Sequence, residues 1–161
     1  GNYSLLSKVI KAINFFQKKS FYIVTGKLEA EQFLRLKNSI SYSKVEMVET
    51  SNSIAVLMSQ SLYAVGACGS TVWERFCLGL NSGLIEMADN QAPLLNYLTE
   101  INLIDNLGNL RVLTAKDFLE FLQNLDLNNQ KYKCRRSEIM NLIDGEGAQR
   151  VSDIILEVPN D

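Results

Sequence analysis

Hydrophobic residues follow two spacings along this chain, one typical of helices and one typical of short strands. From Ser4 to Lys19 apolar residues recur every three or four positions, which predicts an amphipathic helix. The run Phe21-Tyr-Ile-Val-Thr-Gly26 is rich in β-forming residues and ends in glycine, which predicts a strand. Strands and helices then alternate. Further strands are predicted near 45–48, 62–67, 83–87 and within 101–107, and further helices at 29–36, 53–59, 71–80, 91–99 and from Thr114 onward.

Short apolar strands separated by helices are typical of a parallel sheet that is covered on both faces. The pattern therefore predicts an α/β fold, a Rossmann-like doubly wound parallel sheet with helices on both faces. No linker or shift in composition divides the sequence, so we expect residues 1–161 to form a single domain. Because the first predicted element is a helix, we also expect that the sequence is a fragment lacking the opening strand and its loop.

Composition limits the possible functions. With 16 Lys and Arg against 18 Asp and Glu, the charges nearly cancel, so nucleic acid is not an expected partner. No apolar run is long enough to span a membrane and no signal peptide is evident, so we expect a cytoplasmic protein. The absence of histidine excludes a Ser-His-Asp triad or a Cys-His pair within these residues.

Two further groups of residues have simple interpretations. Cys68, Cys77 and Cys134 are odd in number and far apart, which predicts reduced, buried thiols and neither disulfide nor metal site. The basic run 131–136 and the lysines at 18–19 predict solvated helix faces.

The stretch Ala64-Val-Gly-Ala-Cys-Gly-Ser-Thr-Val-Trp-Glu74 joins a predicted strand to a predicted helix, where open parallel sheets bind ligands. Gly69 allows the backbone to approach a ligand closely, and Ser70 and Thr71 add hydroxyls, a combination that suits a diphosphate. The Glu74 carboxylate could accept hydrogen bonds from ribose hydroxyls. However, Thr71-x-x-Glu74 is also a capping-box pattern, and spacing alone favours the cap.

Asp89-Asn-Gln91 follows the next predicted strand and should lie at the same edge of the sheet. The amides of Asn90 and Gln91 match the hydroxyl and acetamido groups of a sugar. The residues alone favour a simpler interpretation, in which Asp89 or Asn90 caps the following helix.

Several of these segments together resemble a known family. Gly66-Ala-Cys-Gly-Ser-Thr-Val-Trp-Glu-Arg75, Cys77-Leu-Gly-Leu80 and Ala88-Asp-Asn-Gln91 resemble the C-terminal domain of the UDP-sugar hydrolase of pseudaminic acid biosynthesis. That enzyme is similar to spore-coat polysaccharide proteins and to the glycosyltransferase that makes the lipid-linked peptidoglycan disaccharide. All are of the GT-B type, with two Rossmann-like domains facing a cleft. Since 53–58 and 142–150 also resemble the family, the likeness covers nearly the whole chain.

The resemblance implies that the ligand is UDP or a UDP-sugar and that no cofactor or metal is needed. The diphosphate would be held by Gly69, Ser70 and Thr71, the ribose by Glu74 and the sugar by Asn90 and Gln91, with the backbone near Val48 and Glu49 against the uracil. The family's hydrolytic histidine belongs to the N-terminal domain, so we expect no catalytic residue in this chain. That domain of the same parent chain is the expected partner.

Three functions remain open from the sequence. The chain is the UDP-sugar-binding half of a hydrolase acting in surface polysaccharide or pseudaminic acid biosynthesis, the donor-binding domain of a glycosyltransferase, or a non-catalytic nucleotide-sugar-binding domain. The hydrolase half is the leading hypothesis and the glycosyltransferase the near alternative. Departures from the family at Ser61, Cys68 and Asn81 give the non-catalytic domain some weight, because the family commonly has alanine, a small residue or glycine, and proline there.

Overall fold

The structure, a computed structural model, describes residues 2–49 and 54–157. Its helices and strands are α1 Tyr3–Phe16, β1 Phe21–Val24, α2 Ala30–Asn38, β2 Val45–Val48, α3 Ile54–Ser59, β3 Ala64–Ala67, α4 Thr71–Cys77, β4 Ser82–Glu86, a 3-10 turn Asp89–Gln91, α5 Ala92–Glu100, β5 Asp105–Asn109, α6 Ala115–Asn124, α7 Gln130–Leu142 and α8 Gly147–Glu157. Among these residues, no helix combines the length and apolar character needed to cross a membrane.

All five strands pair in parallel, which confirms the predicted Rossmann-like α/β fold. They form two small sheets, one of β1 and β2 and one in the order β3-β4-β5. Gly66 of β3 lies opposite Leu84 of β4, and the register between β4 and β5 shifts between Leu84 and Glu86. The carboxyl ends of β3 and β4 therefore lie side by side.

Helices cover both faces of the sheets, with one apolar cluster on each side. On one face α4, α5 and α7 pack against β4, and the fully buried residues there are Val72, Phe76, Leu84, Leu98 and Ile139. On the other face α1, α2 and α6 pack against the strands through Ile10, Ile13, Leu36, Phe118 and Leu122. Ile23 of β1 and Val65 of β3 both belong to this second group of contacts, so α1 and α6 bridge the two sheets.

Helix α4 ends at Cys77, earlier than the predicted end near residue 80, because Gly79 turns the chain. Gly79 has a φ of +61°, in the left-handed region that glycine adopts readily. The N–H of Gly79 donates to the carbonyl of Phe76 at 2.9 Å, which closes the last turn. A Cβ on Gly79 would lie 2.7 Å from Cγ of Met140, so close packing against α7 also requires glycine here.

The three cysteines are all free thiols, as predicted, but only one is buried. Cys68 is buried within the α4 and α5 cluster, and burial raises the pKa of its thiol. Cys77 and Cys134 are exposed, so the prediction of buried thiols is wrong for both. These two lie on the solvent-facing sides of α4 and α7, which the amino-acid type alone does not reveal.

Candidate functional site

The loops after β3 and β4, together with the first turn of α4, carry all six site residues that the sequence predicts. The N–H of Cys68 donates to the carbonyl of Ile85 at 3.1 Å, which holds the two strand ends together just before the loops diverge. Across the gap between the loops, a Cβ on Gly69 would lie 3.9 Å from Nε2 of Gln91. The glycine loop and the Asp89–Gln91 turn therefore face each other, as expected for neighbouring parallel strands.

The start of α4 does not form the capping box that spacing favours. The preceding residue, Ser70, has helical φ and ψ of −55° and −31° and makes no side-chain cap, whereas a capping side chain normally sits on extended backbone. Oγ1 of Thr71 instead accepts a hydrogen bond from Nη2 of Arg75 at 3.0 Å. Within residues 2–49 and 54–157, the carboxylate of Glu74 makes no hydrogen bond or ion pair, and it is exposed.

The alternative role of Asp89 or Asn90 as a helix cap is also wrong. Helix α5 begins at Ala92, and the residue before it is Gln91, which makes no side-chain cap. Asp89 instead pairs with Arg111, with 3.2 Å between carboxylate and guanidinium. The Asn90 side chain is exposed and has no hydrogen-bond partner in the described part of the chain.

The side-chain oxygen of Gln91 is already engaged in a hydrogen bond. Its Oε1 accepts a hydrogen bond from the main-chain N–H of Met87 at 2.9 Å, across the turn that follows β4. This bond fixes the orientation of the side-chain amide and leaves Nε2 facing Gly69 as a donor. Gln91 is therefore oriented by the turn before any ligand binds.

Arg75 is a buried residue of this region, and no role for it is predicted from the sequence. Its side chain is only 4% exposed, and its Nε donates to the carbonyl of Thr71 at 3.0 Å. Nη2 donates to the carbonyl of Ala67 and to the Thr71 hydroxyl, both at 3.0 Å, so Arg75 holds the turn between β3 and α4 in place. Nη1 is buried without a partner among the described residues. The spacing of four residues from Thr71 is the only sequence signal for this contact.

A second polar cluster lies at the opposite, amino-terminal ends of β3 and β5. Asp105 accepts hydrogen bonds at Oδ2 from the hydroxyls of Tyr63, at 2.6 Å, and Tyr132, at 3.0 Å. Its Oδ1 lies 3.2 Å from Arg135 Nη1 and 3.3 Å from Lys131 Nζ. Burial opposes the charged form, but the Tyr63 hydroxyl and the two cations outweigh it and lower the pKa of Asp105.

This cluster corrects the prediction for the basic run 131–136. Lys133 and Arg136 are exposed, as predicted, whereas Tyr132 and Arg135 are buried. Arg135 also donates from Nε to the carbonyl of Asn102 at 2.7 Å. Helix α7 therefore docks through these two residues, and only its remaining faces are solvated.

The carboxyl ends of β1 and β2 border a cavity of about 530 Å³. Its lining includes Gly26, Glu29 and Glu49, so the cavity lies beside the stretch that the resemblance places near the uracil. The carbonyl of Val48 is already bonded to the N–H of Thr25 at 3.0 Å, which leaves Glu49 as the nearer candidate for a base contact. The next residues, 50–53, lie outside the described part of the chain.

Comparison with models of known protein families and with curated protein sequences finds no match to this chain. Its function must therefore be argued from its own residues and their geometry.

Proposed function

We propose that this chain binds UDP or a UDP-sugar at the carboxyl edge of β3 and β4, as the nucleotide-binding half of a UDP-sugar enzyme. The observation that supports this most strongly is the close approach of the Gly69 backbone to Gln91. Beside it lie the side chains of Ser70, Glu74 and Asn90, which make no hydrogen bond or ion pair in the described structure. Polar groups at the carboxyl ends of neighbouring parallel strands are the usual environment of a nucleotide.

The diphosphate would lie over the turn after β3. The main-chain N–H groups of Gly69, Ser70 and Thr71 have no acceptor within residues 2–49 and 54–157, so they are available to phosphate oxygens. The Ser70 hydroxyl is also available. Thr71 uses its oxygen as an acceptor for Arg75, which leaves its hydroxyl hydrogen free to donate.

The ribose and the sugar would occupy either side of the diphosphate. The two oxygens of Glu74 can accept from two neighbouring ribose hydroxyls, and a charged acceptor strengthens such bonds. Asn90 can donate and accept. Gln91 can donate from Nε2, and its Oε1 has one lone pair left beside the hydrogen bond from Met87. The pair therefore suits a sugar carrying both carbonyl and hydroxyl groups.

The chain is proposed to hold the leaving group and not to break the bond. Its 161 residues contain no histidine, the base that the resembled hydrolase uses. The base would come from the N-terminal domain of the parent chain, in a hydrolase or equally in a glycosyltransferase. The same UDP-binding edge serves both reactions.

The residues that depart from the resembled family make structural contacts and do not occupy the proposed ligand site, although Cys68 directly precedes Gly69. Asn81 is buried and donates from Nδ2 to the carbonyl of Tyr132 at 3.0 Å. Cys68 is part of the apolar core, and Ser61 donates to the carbonyl of Leu57 at 2.7 Å. These differences therefore do not weigh against a ligand at the loops.

The proposal is tested by the variant Glu74→Gln, titrated with UDP and with CMP and ADP for comparison by calorimetry and amide chemical shifts. We expect the affinity for UDP to fall about tenfold or more, since a hydrogen bond to a charged group contributes about 1.5–3 kcal/mol. Stability should fall by less than about 1 kcal/mol, because Glu74 is exposed, makes no hydrogen bond or ion pair in the described structure, and attracts Arg75 only through a solvent-screened charge. Glu120→Gln, an exposed change on α6, is the matched control.

Two results would contradict the proposal. One is that UDP leaves the amide signals of 69–74 unchanged in the parent chain. The other is that Glu74→Gln lowers the melting temperature while the affinity for UDP stays the same, which is the behaviour of a helix cap.

A further inference from the structure

The two sheets are separated where a central strand would stand. Within residues 2–49 and 54–157, β1 pairs only with β2 and β3 pairs only with β4, and no hydrogen bond joins β1 to β3. Placed side by side, the two sheets give the strand order β2-β1-β3-β4-β5. This is the order of a doubly wound sheet that lacks its first strand, which would lie at the centre between β1 and β3. Because Ile23 and Val65 pack into the same cluster under α1 and α6, the two sheets share one layer. We call the space between β1 and β3 the strand gap.

The edge of β1 that faces the strand gap has unpaired main-chain groups. Phe21 and Thr25 donate their N–H groups to carbonyls of the β2 segment at 2.9 and 3.0 Å. Alternate residues of a parallel strand bond to opposite neighbours, so Tyr22 and Val24 turn their N–H and C=O groups away from β2. Those groups have no partner in the described structure, and the side chains of the two residues are 47% and 37% exposed.

The facing edge of β3 has the same character. Ala64 and Cys68 donate to carbonyls of the β4 segment at 3.0 and 3.1 Å, so Val65 and Ala67 turn toward the strand gap. Their N–H groups are unpaired within the described residues. Residues 64–67 are only half-buried, whereas 82–85 of β4, the neighbouring strand, are buried. β4 is buried and has a partner strand on each side. β3 would therefore need a second partner strand to be buried to the same extent.

Arg75 packs against the edge of β3 that faces the strand gap and already occupies one of its carbonyls. Its Nη2 reaches the carbonyl of Ala67 on the edge of β3, and its Nη1 lies 3.4 Å from where a Cβ on Gly66 would be. Nη1 is buried with no acceptor among the described residues, an arrangement that costs free energy in a folded protein.

Helix α1 begins at the end of the molecule where such a strand would finish. Nζ of Lys8 donates to the carbonyl of Leu110, just past the carboxyl end of β5, at 2.9 Å. The first turns of α1, capped by Asn2, therefore lie at the carboxyl edge. A strand parallel to β1 would end at that edge, a short loop away from Asn2, as in a strand-helix-strand unit.

We infer that the strand gap takes up one apolar β-strand, parallel to β1 and β3, from polypeptide joined to the amino-terminal end of α1. A second copy of this chain fits less well, because its outer strands carry polar residues, Glu46 in β2 and Asp105 and Asn106 in β5. The strand gap faces the apolar cluster that contains Ile23 and Val65. This inference does not depend on the proposed function.

The test uses the 161-residue chain and the same chain extended at its amino terminus. The extension is a strand of five valine and isoleucine residues and a glycine-serine turn fused before Asn2, and the matched control places proline at alternate positions of that strand. Hydrogen exchange of the main-chain amides is followed by NMR. We expect the amides of Tyr22, Val24, Val65 and Ala67 to exchange at least about tenfold more slowly with the strand extension and unchanged with the proline extension.

Three outcomes would overturn the inference. The amides of Val65 and Ala67 exchange as slowly as that of Leu84 in the unextended chain, which would mean that the edge is already covered. The proline extension gives the same protection as the strand extension. Protection in the unextended chain rises with protein concentration, which would make a second copy the occupant.

Discussion

Replacing Asp105 by asparagine should destabilise the fold strongly, because among the described residues this carboxylate is the only acid that pairs with the buried Arg135. The side chain of Arg135 is 7% exposed, and its Nη1 lies 3.2 Å from Asp105. Removing one charge of a buried pair costs about 3–5 kcal/mol, since the other charge stays buried without compensation. The carbonyl of asparagine can still accept a hydrogen bond from Tyr63. We therefore expect the free energy of unfolding to fall by about 3 kcal/mol, the lower end of that range.

The measurement is urea unfolding at neutral pH, compared with Glu31→Gln. Glu31 and Arg35 form an ion pair of 2.6 Å on α2 in which both side chains are about two-thirds or more exposed, 75% and 67%. Screening by water limits such a pair to about 0.5 kcal/mol. The two variants therefore remove the same kind of charge from a buried and an exposed pair.

The stabilisation by Asp105 also has a defined pH dependence. The pKa of Asp105 in the folded state lies below its ordinary value, so the stabilisation is fully present above the ordinary pKa of about 3.9. It is lost as the pH falls through the lowered pKa of the folded state. The difference in stability between the parent chain and Asp105→Asn should therefore be constant between about pH 6 and 8 and shrink below about pH 4.

A double variant tests whether the loss of stability comes from the unpaired charge of Arg135. Asp105→Asn combined with Arg135→Met should be more stable than Asp105→Asn alone, because the unpaired buried charge is gone. The prediction is contradicted if the free energy of unfolding of Asp105→Asn lies within about 0.5 kcal/mol of that of the parent chain. It is also contradicted if the losses caused by the two substitutions are additive in the double variant.

Two further predictions concern cysteine reactivity and a glycine turn. Cys77 and Cys134 should react rapidly with a thiol reagent in the native chain, whereas Cys68, buried and with a raised pKa, should react only on unfolding; three equal rates would contradict the structure. Gly79→Ala should cost at least about 2 kcal/mol, from left-handed backbone strain and a contact of 2.7 Å with a methionine of α7, as measured by denaturant unfolding. Gly108→Ala, also left-handed but with nothing within 4 Å, should cost about 1 kcal/mol, and equal losses would show that the contact does not matter.

Spacing predicted the elements well because each depends on a local pattern. Strand β2 spans Val45–Val48 as expected, and the predicted facing of Gly69 and Gln91 follows from the rule that parallel strands share a carboxyl edge. Local pattern fails where a contact joins distant residues. Asp105 meets Tyr63 and Arg135 across the fold, and no periodicity identifies such partners.

Helix caps show a second limit of the sequence. Thr71-x-x-Glu74 matches the capping-box pattern and forms no box, whereas Thr114 and Asp117 form one at the start of α6. The difference lies in the backbone before each helix. Thr114 is extended, with φ −105° and ψ 167°, but the tight turn after β3 leaves Ser70 in a helical conformation that cannot cap. The backbone conformation before the helix, and not the residue type alone, therefore decides whether a capping box forms.

The Asp105 cluster makes the two ends of the strands differ in how their side chains are engaged. Hydroxyls and charges tie β3, β5 and α7 together at the amino-terminal ends. At the carboxyl ends the loops hold Ser70 and Asn90 with their side chains uncommitted within the described structure. The side-chain contacts that join the strands are thus concentrated at the end away from the edge where the ligand is proposed to bind.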